Sequence, residues 1–307
     1  MNKNNIEMFY DVLDESAMLL YEKLKMTYLD GILDTANNIL AHDVDYFNLS
    51  EEDNKSLMGK IEKIKDISFT NEEIRKAFQL ALLKAFKHQK ILSSEMTPDT
   101  IGLLISYLIN KFGYKGKIKL LDPLVGTGNL LYTVANNIEV DSTVYGIDNN
   151  ETLIKVANVL REILNIDGEL YFDDTRHFNL EKIDIMVSDV PYLDDVKYDV
   201  LISHINDLKD LGYALLVIDN DYFMGDNALK LKEKIFNKIS VLGLIKLPDS
   251  IFKEKGKSIF ILRKNESQIK LYEKVLICDL PSFTDVNEFN KVINQIDYWF
   301  LENQKEY

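Results

Sequence analysis

The segment Leu120-Leu-Asp-Pro-Leu-Val-Gly-Thr-Gly-Asn-Leu-Leu131 constrains the fold more than any other stretch of this chain. An apolar run, Ile118 to Leu121, reads as a short buried strand. It ends in Asp122-Pro123 and a glycine turn, Gly126-Thr127-Gly128. Apolar residues then recur at Leu130, Leu131 and Val134, which predicts a helix. Strand, glycine turn and helix in this order make the nucleotide-binding corner of an α/β sheet. Glycine there lets the backbone pass close to a ligand with no Cβ in the way. The third glycine of the dinucleotide fingerprint is missing, which weighs against NAD and FAD.

The rest of the chain divides around this corner. Residues 1–92 contain two glycines, Gly31 and Gly59, and no proline. Apolar residues recur there at helical spacing, as in Phe9, Val12 and Leu13, then Ile74, Phe78, Leu82 and Phe86. This predicts an all-helical lobe of about four helices. Thr70 and Glu73 have the spacing of a capping box for the last of them. From 93 to 307 short apolar runs alternate with helical patterns. Strands are expected over 118–122, 143–148, 169–172, 183–189, 213–219, 241–247, 258–263 and 274–279. Helices are expected over 99–112, 129–137, 151–164, 198–208, 227–239 and 286–302. Such alternation implies an α/β fold with a mainly parallel sheet covered on both faces. The late strands lack long helices between them, which points to an antiparallel hairpin at the sheet edge.

Bulk properties narrow the function. The net charge of −14 weighs against tight non-specific binding of nucleic acid, which rests on Lys and Arg neutralising phosphates. Only four arginines occur, Arg75, Arg161, Arg176 and Arg263, so bidentate phosphate or guanine contacts are scarce. The single cysteine, Cys278, allows neither an internal disulfide nor a zinc cluster. The four histidines show no metal-ligand spacing, and no metal is expected. No apolar run reaches the roughly 18 residues of a membrane span, and the N-terminal stretch reads as amphipathic helix. A cytoplasmic protein is expected.

Several acids fall at predicted strand ends. Asp148, followed by Asn149, closes the second strand about 20 residues after the glycine turn, where an acid in this class of fold accepts hydrogen bonds from ribose hydroxyls. Asp173 or Asp174, at the end of the third strand, is placed to receive the amino group of an adenine; the sequence does not choose between them. The fourth strand ends Ser188-Asp-Val-Pro-Tyr192. Asp189 and the Val190 carbonyl could each accept a hydrogen bond from an amine, with Pro191 holding Val190 extended and Tyr192 free to stack on a planar group. Thr97-Pro98 has the form of a helix N-cap followed by N1, and backbone groups there could also hold a carboxylate. The lysines of 246–257 form the densest basic stretch. It reads either as an entrance for an anionic substrate or as a solvated loop diluted by Asp249 and Glu254.

In this order, Thr97-Pro98, Asp122-Pro-Leu-Val-Gly-Thr-Gly128, Asp148 and Asp189-Val-Pro-Tyr192 resemble the motifs of class I S-adenosylmethionine-dependent methyltransferases. They look most like the N6-adenine DNA methyltransferase branch, and a helical lobe ahead of this core is similar to a stand-alone group of such proteins in Gram-positive bacteria. The segment 246–252 with the strand after it also resembles the late core of type I modification subunits. The resemblance implies a Rossmann-like seven-stranded sheet over 93–307 that binds S-adenosyl-L-methionine. It would assign Thr97, Asp122, Pro123, Gly126, Thr127, Gly128, Asp148, Asn149 and Asp173 or Asp174 to the cofactor. Asp189, Val190, Pro191 and Tyr192 would hold the amine to be methylated. Two departures stand out. Val190 replaces the first proline of the family motif, and no DNA target-recognition domain is expected from this sequence. DNA is the partner that the resemblance implies and the charge disfavours. A protein glutamine substrate, or a catalytically silent cofactor-binding regulator, are the alternatives. The helical lobe is expected to cover the substrate side, bind a protein partner or form a homodimer.

Overall fold

A computed structural model describes residues 1–89, 96–191, 196–224, 226–235, 237–252, 255–265 and 274–303. Four helices come first: α1 (Lys3–Leu24), α2 (Tyr28–Ala41), α3 (Glu51–Glu62) and α4 (Asn71–Gln89). Short polar side chains open them. Asn2, Thr27 and Ser50 each accept from a backbone N–H of the first turn. The expected box closes at α4, where Thr70 N–H donates to Glu73 Oε2 (3.0 Å) and Glu73 N–H to Thr70 Oγ1 (3.3 Å). The boundary expected between residues 92 and 93 lies outside the described residues.

The alternating region follows as α5 (Asp99–Lys111), β1 (Ile118–Asp122), α6 (Asn129–Asn137), β2 (Ser142–Asp148), α7 (Glu151–Ile163), β3 (Gly168–Phe172) and β4 (Ile183–Asp189). It continues with α8 (Val196–His204), β5 (Leu208–Asp219), α9 (Asp226–Ile235), β6 (Ile239–Lys246), β7 (Lys257–Lys264), β8 (Leu276–Asp279) and α10 (Val286–Asn303). Among the described residues the sheet has eight strands in the order β3-β2-β1-β4-β5-β7-β6-β8, as many as the apolar runs predict and one more than the resemblance implies. β7 alone is reversed, antiparallel to both β5 and β6. The hairpin β6–β7 is therefore not the rim of the sheet, because β8 adds to β6 in parallel outside it.

Strand residues alternate between two apolar layers, as a pleated sheet buried on both faces requires. Leu120, Ile185, Val187, Leu215, Val217 and Ile261 face one layer. Leu121, Met186, Ala214, Leu216, Phe260 and Leu262 face the other, under α8 and α9. The first layer is continuous with the N-terminal helices: Phe9, Leu13, Ile32, Phe78 and Leu82 belong to the same cluster as the sheet residues and Phe300 of α10. Among the described residues no helix is long and apolar enough to cross a membrane.

Candidate active site

β1 feeds β2 on one side and lies beside β4 on the other, with Leu120 opposite Ile185 and Leu121 opposite Met186. The chain direction of the crossovers changes here, and a crevice at the carboxyl ends of the strands is the expected ligand site. Asp122, Asp148, Phe172, Asp189 and Asp219 end β1 to β5 on this rim. Because β7 runs the other way, its first residue, Lys257, comes to the same rim, opposite Asp219.

The glycine loop is built to turn sharply. Gly126 and Gly128 adopt φ of 52° and 78°, which only glycine enters freely. A Cβ on Gly128 would also come within 2.2 Å of the Tyr132 ring. Asp148 closes the loop from β2: Gly126 N–H donates to its Oδ2 (2.8 Å) and Asn150 N–H to its Oδ1 (2.8 Å). Burial raises the Asp148 carboxyl, and N–H groups of Asn150, Gly126 and Asn149 oppose that rise. Asp122 is 1% exposed and accepts from Leu124 N–H (3.0 Å) and Ser188 Oγ (3.0 Å), tying β1 to β4. Desolvation pushes its carboxyl up to about 7, with Asp148 and Asp189 adding to the effect. Pro123 is buried beside it. Thr127 is buried, and its Oγ1 has no hydrogen-bond partner among the described residues. An orphaned hydroxyl between two left-handed glycines fits a loop that expects a polar ligand.

Past β3 the two candidate acids differ. Asp174 is held by Arg176 through Nε (3.0 Å) and a second guanidinium nitrogen (2.7 Å), which keeps its carboxyl well below the usual range. Asp173 is exposed, and its carboxylate accepts only the N–H of Asp174 (2.7 Å) among the described residues. Asp173 is thus the acid with an open oxygen. The buried His204 anchors this loop, with Nδ1 2.6 Å from Asp207 Oδ2 and Nε2 2.8 Å from the Thr175 carbonyl.

Asp189 is gripped from two sides. Thr97 Oγ1 donates to Oδ2 at 2.9 Å, and Lys257 Nζ lies 2.6 Å from Oδ1. Thr97 is therefore not the helix cap expected of it: Pro98 holds that position with no side-chain bond, and the Thr97 hydroxyl is spent on β4. Val190 is buried, and its N–H donates to the Val217 carbonyl of β5 at 2.9 Å. A proline could not make this bond. The chain replaces the ring that a family proline would supply with one more rung of the β4–β5 ladder. The Val190 carbonyl accepts no bond from a described residue. Pro191 is half-buried, and Tyr192 lies outside the described residues.

Residues with no obvious signal in the sequence complete the site. Arg75 of α4 is fully buried and donates to Glu72 (2.7 Å), Asp99 (2.9 Å) and Asn129 (2.7 Å). Asn129 in turn donates to the Thr97 carbonyl at 2.7 Å. Burial by itself would raise the Asp99 carboxyl, but Arg75 and Lys76 outweigh it and hold the group well below its usual range. Each described lysine of the basic stretch lies beside an acid. Lys246 lies 3.8 Å from Asp249, Lys255 2.9 Å from Asp221 and Lys257 2.6 Å from Asp189, while Lys253 and Glu254 fall outside the described residues.

Comparison with known proteins agrees with this geometry. The model of a YtxK N-terminal helical domain matches residues 7–86. The uncharacterized protein YtxK of Bacillus subtilis is 31% identical, covering 99% of this chain and 100% of its own length. The chain belongs to the YtxK family. A Listeria monocytogenes protein, described as a candidate class I S-adenosylmethionine-dependent methyltransferase, has a crystal structure 30% identical in sequence. It superposes with a TM-score of 0.87 over 97% of this chain and 100% of its own. The methyltransferase subunit of a type I restriction-modification system from Streptococcus thermophilus shares the fold at 14% identity. Its TM-score is 0.60, over 97% of this chain and 90% of that one. The YtxK-family chain thus carries the class I methyltransferase fold, including the helices ahead of it.

Proposed function

We propose that this chain binds S-adenosylmethionine in the crevice over the glycine loop and methylates an amino group, by its likeness to type I modification subunits the N6 of adenine. The observation that carries the reading is the pairing of two features on one rim. A glycine loop closed by Asp148 lies beside a carboxylate, Asp189, next to a backbone carbonyl that accepts no bond from a described residue. Bound there, S-adenosylmethionine would supply an electrophilic methyl on a sulfonium. Asp148 keeps lone pairs free for ribose hydroxyls after its bonds to Gly126 and Asn150, and Asp173 keeps an oxygen for an adenine amine. Gly126, Thr127 and Gly128 would line the methionine end.

The acceptor side follows from donor and acceptor counting. An aromatic amine is a poor nucleophile because its lone pair is delocalised. Asp189 and the Val190 carbonyl would each accept a hydrogen bond from one of its N–H groups, which favours a tetrahedral nitrogen with the lone pair directed at the methyl, and the one proton displaced on methylation would go to solvent. Each Asp189 oxygen retains a second lone pair after Thr97 and Lys257 have taken one. The protein's contribution is positioning and fixed dipoles. The net charge of −14 favours an acceptor other than long duplex DNA bound through its phosphates.

Labelled-methyl transfer into DNA, RNA and protein pools, run beside calorimetry with S-adenosylmethionine, tests the reading. Asp189→Ala should abolish transfer and leave cofactor affinity within a few-fold. Unchanged turnover in that variant removes Asp189 from its role. Cofactor binding with no transfer to any pool would favour the silent regulatory alternative.

A further inference from the structure

Lys257 is not an ordinary surface lysine. It is the first residue of a central strand, opposite Asp219 of β5, and its carbonyl accepts the Leu247 N–H at 2.9 Å. The preceding Gly256 carbonyl accepts from Asn220 N–H at 3.0 Å. The contact is so close that a Cβ on Gly256 would lie 2.6 Å from Asn220 Nδ2. The backbone that carries Lys257 is thus fixed from both flanking strands. Its ammonium spends one proton on Asp189 and meets no second acceptor among the described residues. Both side chains keep 20% exposure, enough to be reached from the crevice. Asp219, the register partner of Lys257 on β5, has its carboxyl raised by burial, and Asp221 is engaged by Lys255.

We infer that Lys257 and Asp189 together read one edge of an adenine ring, in which Asp189 takes the NH2 and Lys257 donates to the ring nitrogen on the same carbon. In adenine that edge is N6 and the ring nitrogen N1. An alkyl amine offers no such acceptor, and its ammonium form would be repelled by Lys257. The inference rests on the amino-methylation reading above and adds a specificity residue to it. A donor on N1 draws electron density away from N6, so the contact selects and aligns the base and does not activate it.

The test uses the full chain and its Lys257→Met and Lys257→Arg variants. Calorimetry with S-adenosylmethionine comes first. All three proteins should bind it alike. Loss in all of them ends the cofactor reading itself, and loss in Lys257→Met alone would place Lys257 in the cofactor site and overturn the inference. Transfer is then measured into DNA and RNA oligonucleotides carrying adenine or 1-deazaadenine, which lacks N1, and into a glutamine peptide. The native protein should prefer adenine by about tenfold or more, the penalty for leaving a polar site group unpaired. Lys257→Met should lose that preference and Lys257→Arg keep part of it. A merely structural lysine would lower transfer to both bases equally. Equal use of both bases by the native protein, retained preference in Lys257→Met, or transfer to the peptide alone would each overturn the inference. So would cofactor binding with transfer to no acceptor.

Discussion

The hydroxyl of Thr97 donates to Asp189 at 2.9 Å across 92 positions of sequence. Thr97 itself is held through its carbonyl by Asn129, and Asn129 by the buried guanidinium of Arg75. One line of hydrogen bonds therefore runs from the fourth N-terminal helix to the carboxylate at the end of β4. The helical lobe has a structural part in placing that carboxylate, besides any contact it makes with substrate.

Thr97→Val removes the donor and keeps the shape. A hydrogen bond to a charged group contributes about 1.5–3 kcal/mol, so single-turnover methyl transfer should slow about ten- to a hundredfold. Thr97→Ser should restore most of the rate. A change in S-adenosylmethionine affinity with no change in rate would instead assign the hydroxyl to the cofactor.

Arg75→Met strips Glu72 and Asp99 of the cation they share and leaves Asp99 with Lys76 alone. Breaking a buried ion pair from one side costs about 3–5 kcal/mol, and some exposure of both acids places the expected loss near the lower figure. The midpoint of urea unfolding measures it. A shift equivalent to less than about 1 kcal/mol would mean that the network contributes little beyond a surface ion pair.

Asp148→Ala should weaken S-adenosylmethionine binding by about 1.5–3 kcal/mol through loss of charge-assisted bonds to ribose. Calorimetry reads this directly, and unaltered affinity refutes the ribose assignment.

Asp122 gives a pH dependence. Its carboxyl is raised by burial from 3.8 to about 7 in the folded chain. The stability tied to its proton is then fully present below about pH 4 and lost as pH rises through about 7. Asp122→Asn keeps the acceptor for Leu124 and Ser188 but cannot ionise. Its melting temperature should fall less than that of the native protein between about pH 5 and about pH 8. Parallel profiles for the two proteins would show that other groups carry the dependence.

Local elements were legible where one sequence signal dominates. β1, β4 and α6 begin and end where the apolar runs and the glycine turn place them. β5 starts earlier than expected, at Leu208, because the charged Lys209 and Asp210 hide its first residues and a register irregularity lies between Ile183 and Ile185 on its partner. Strand-end acids were legible because their spacing from the glycine turn is set by one βαβ unit. The partners of those acids were not. Which strand lies beside which is a property of the sheet order, and the insertion of β7 between β5 and β6 is what brings Lys257 to Asp189. Arg75 looks like any surface arginine of an amphipathic helix until α5 and α6 close over it. The choice of Asp173 over Asp174 depends on a guanidinium two residues further on.

The apolar layer that joins Phe9 and Phe78 to the sheet residues Leu120 and Val217 also limits how the chain can be divided. Helices and sheet here are one cooperative body in two architectural styles. Cutting the N-terminal helices away would bare the apolar sides of α6 and α7 that they cover, so the sheet half would lose part of its own core.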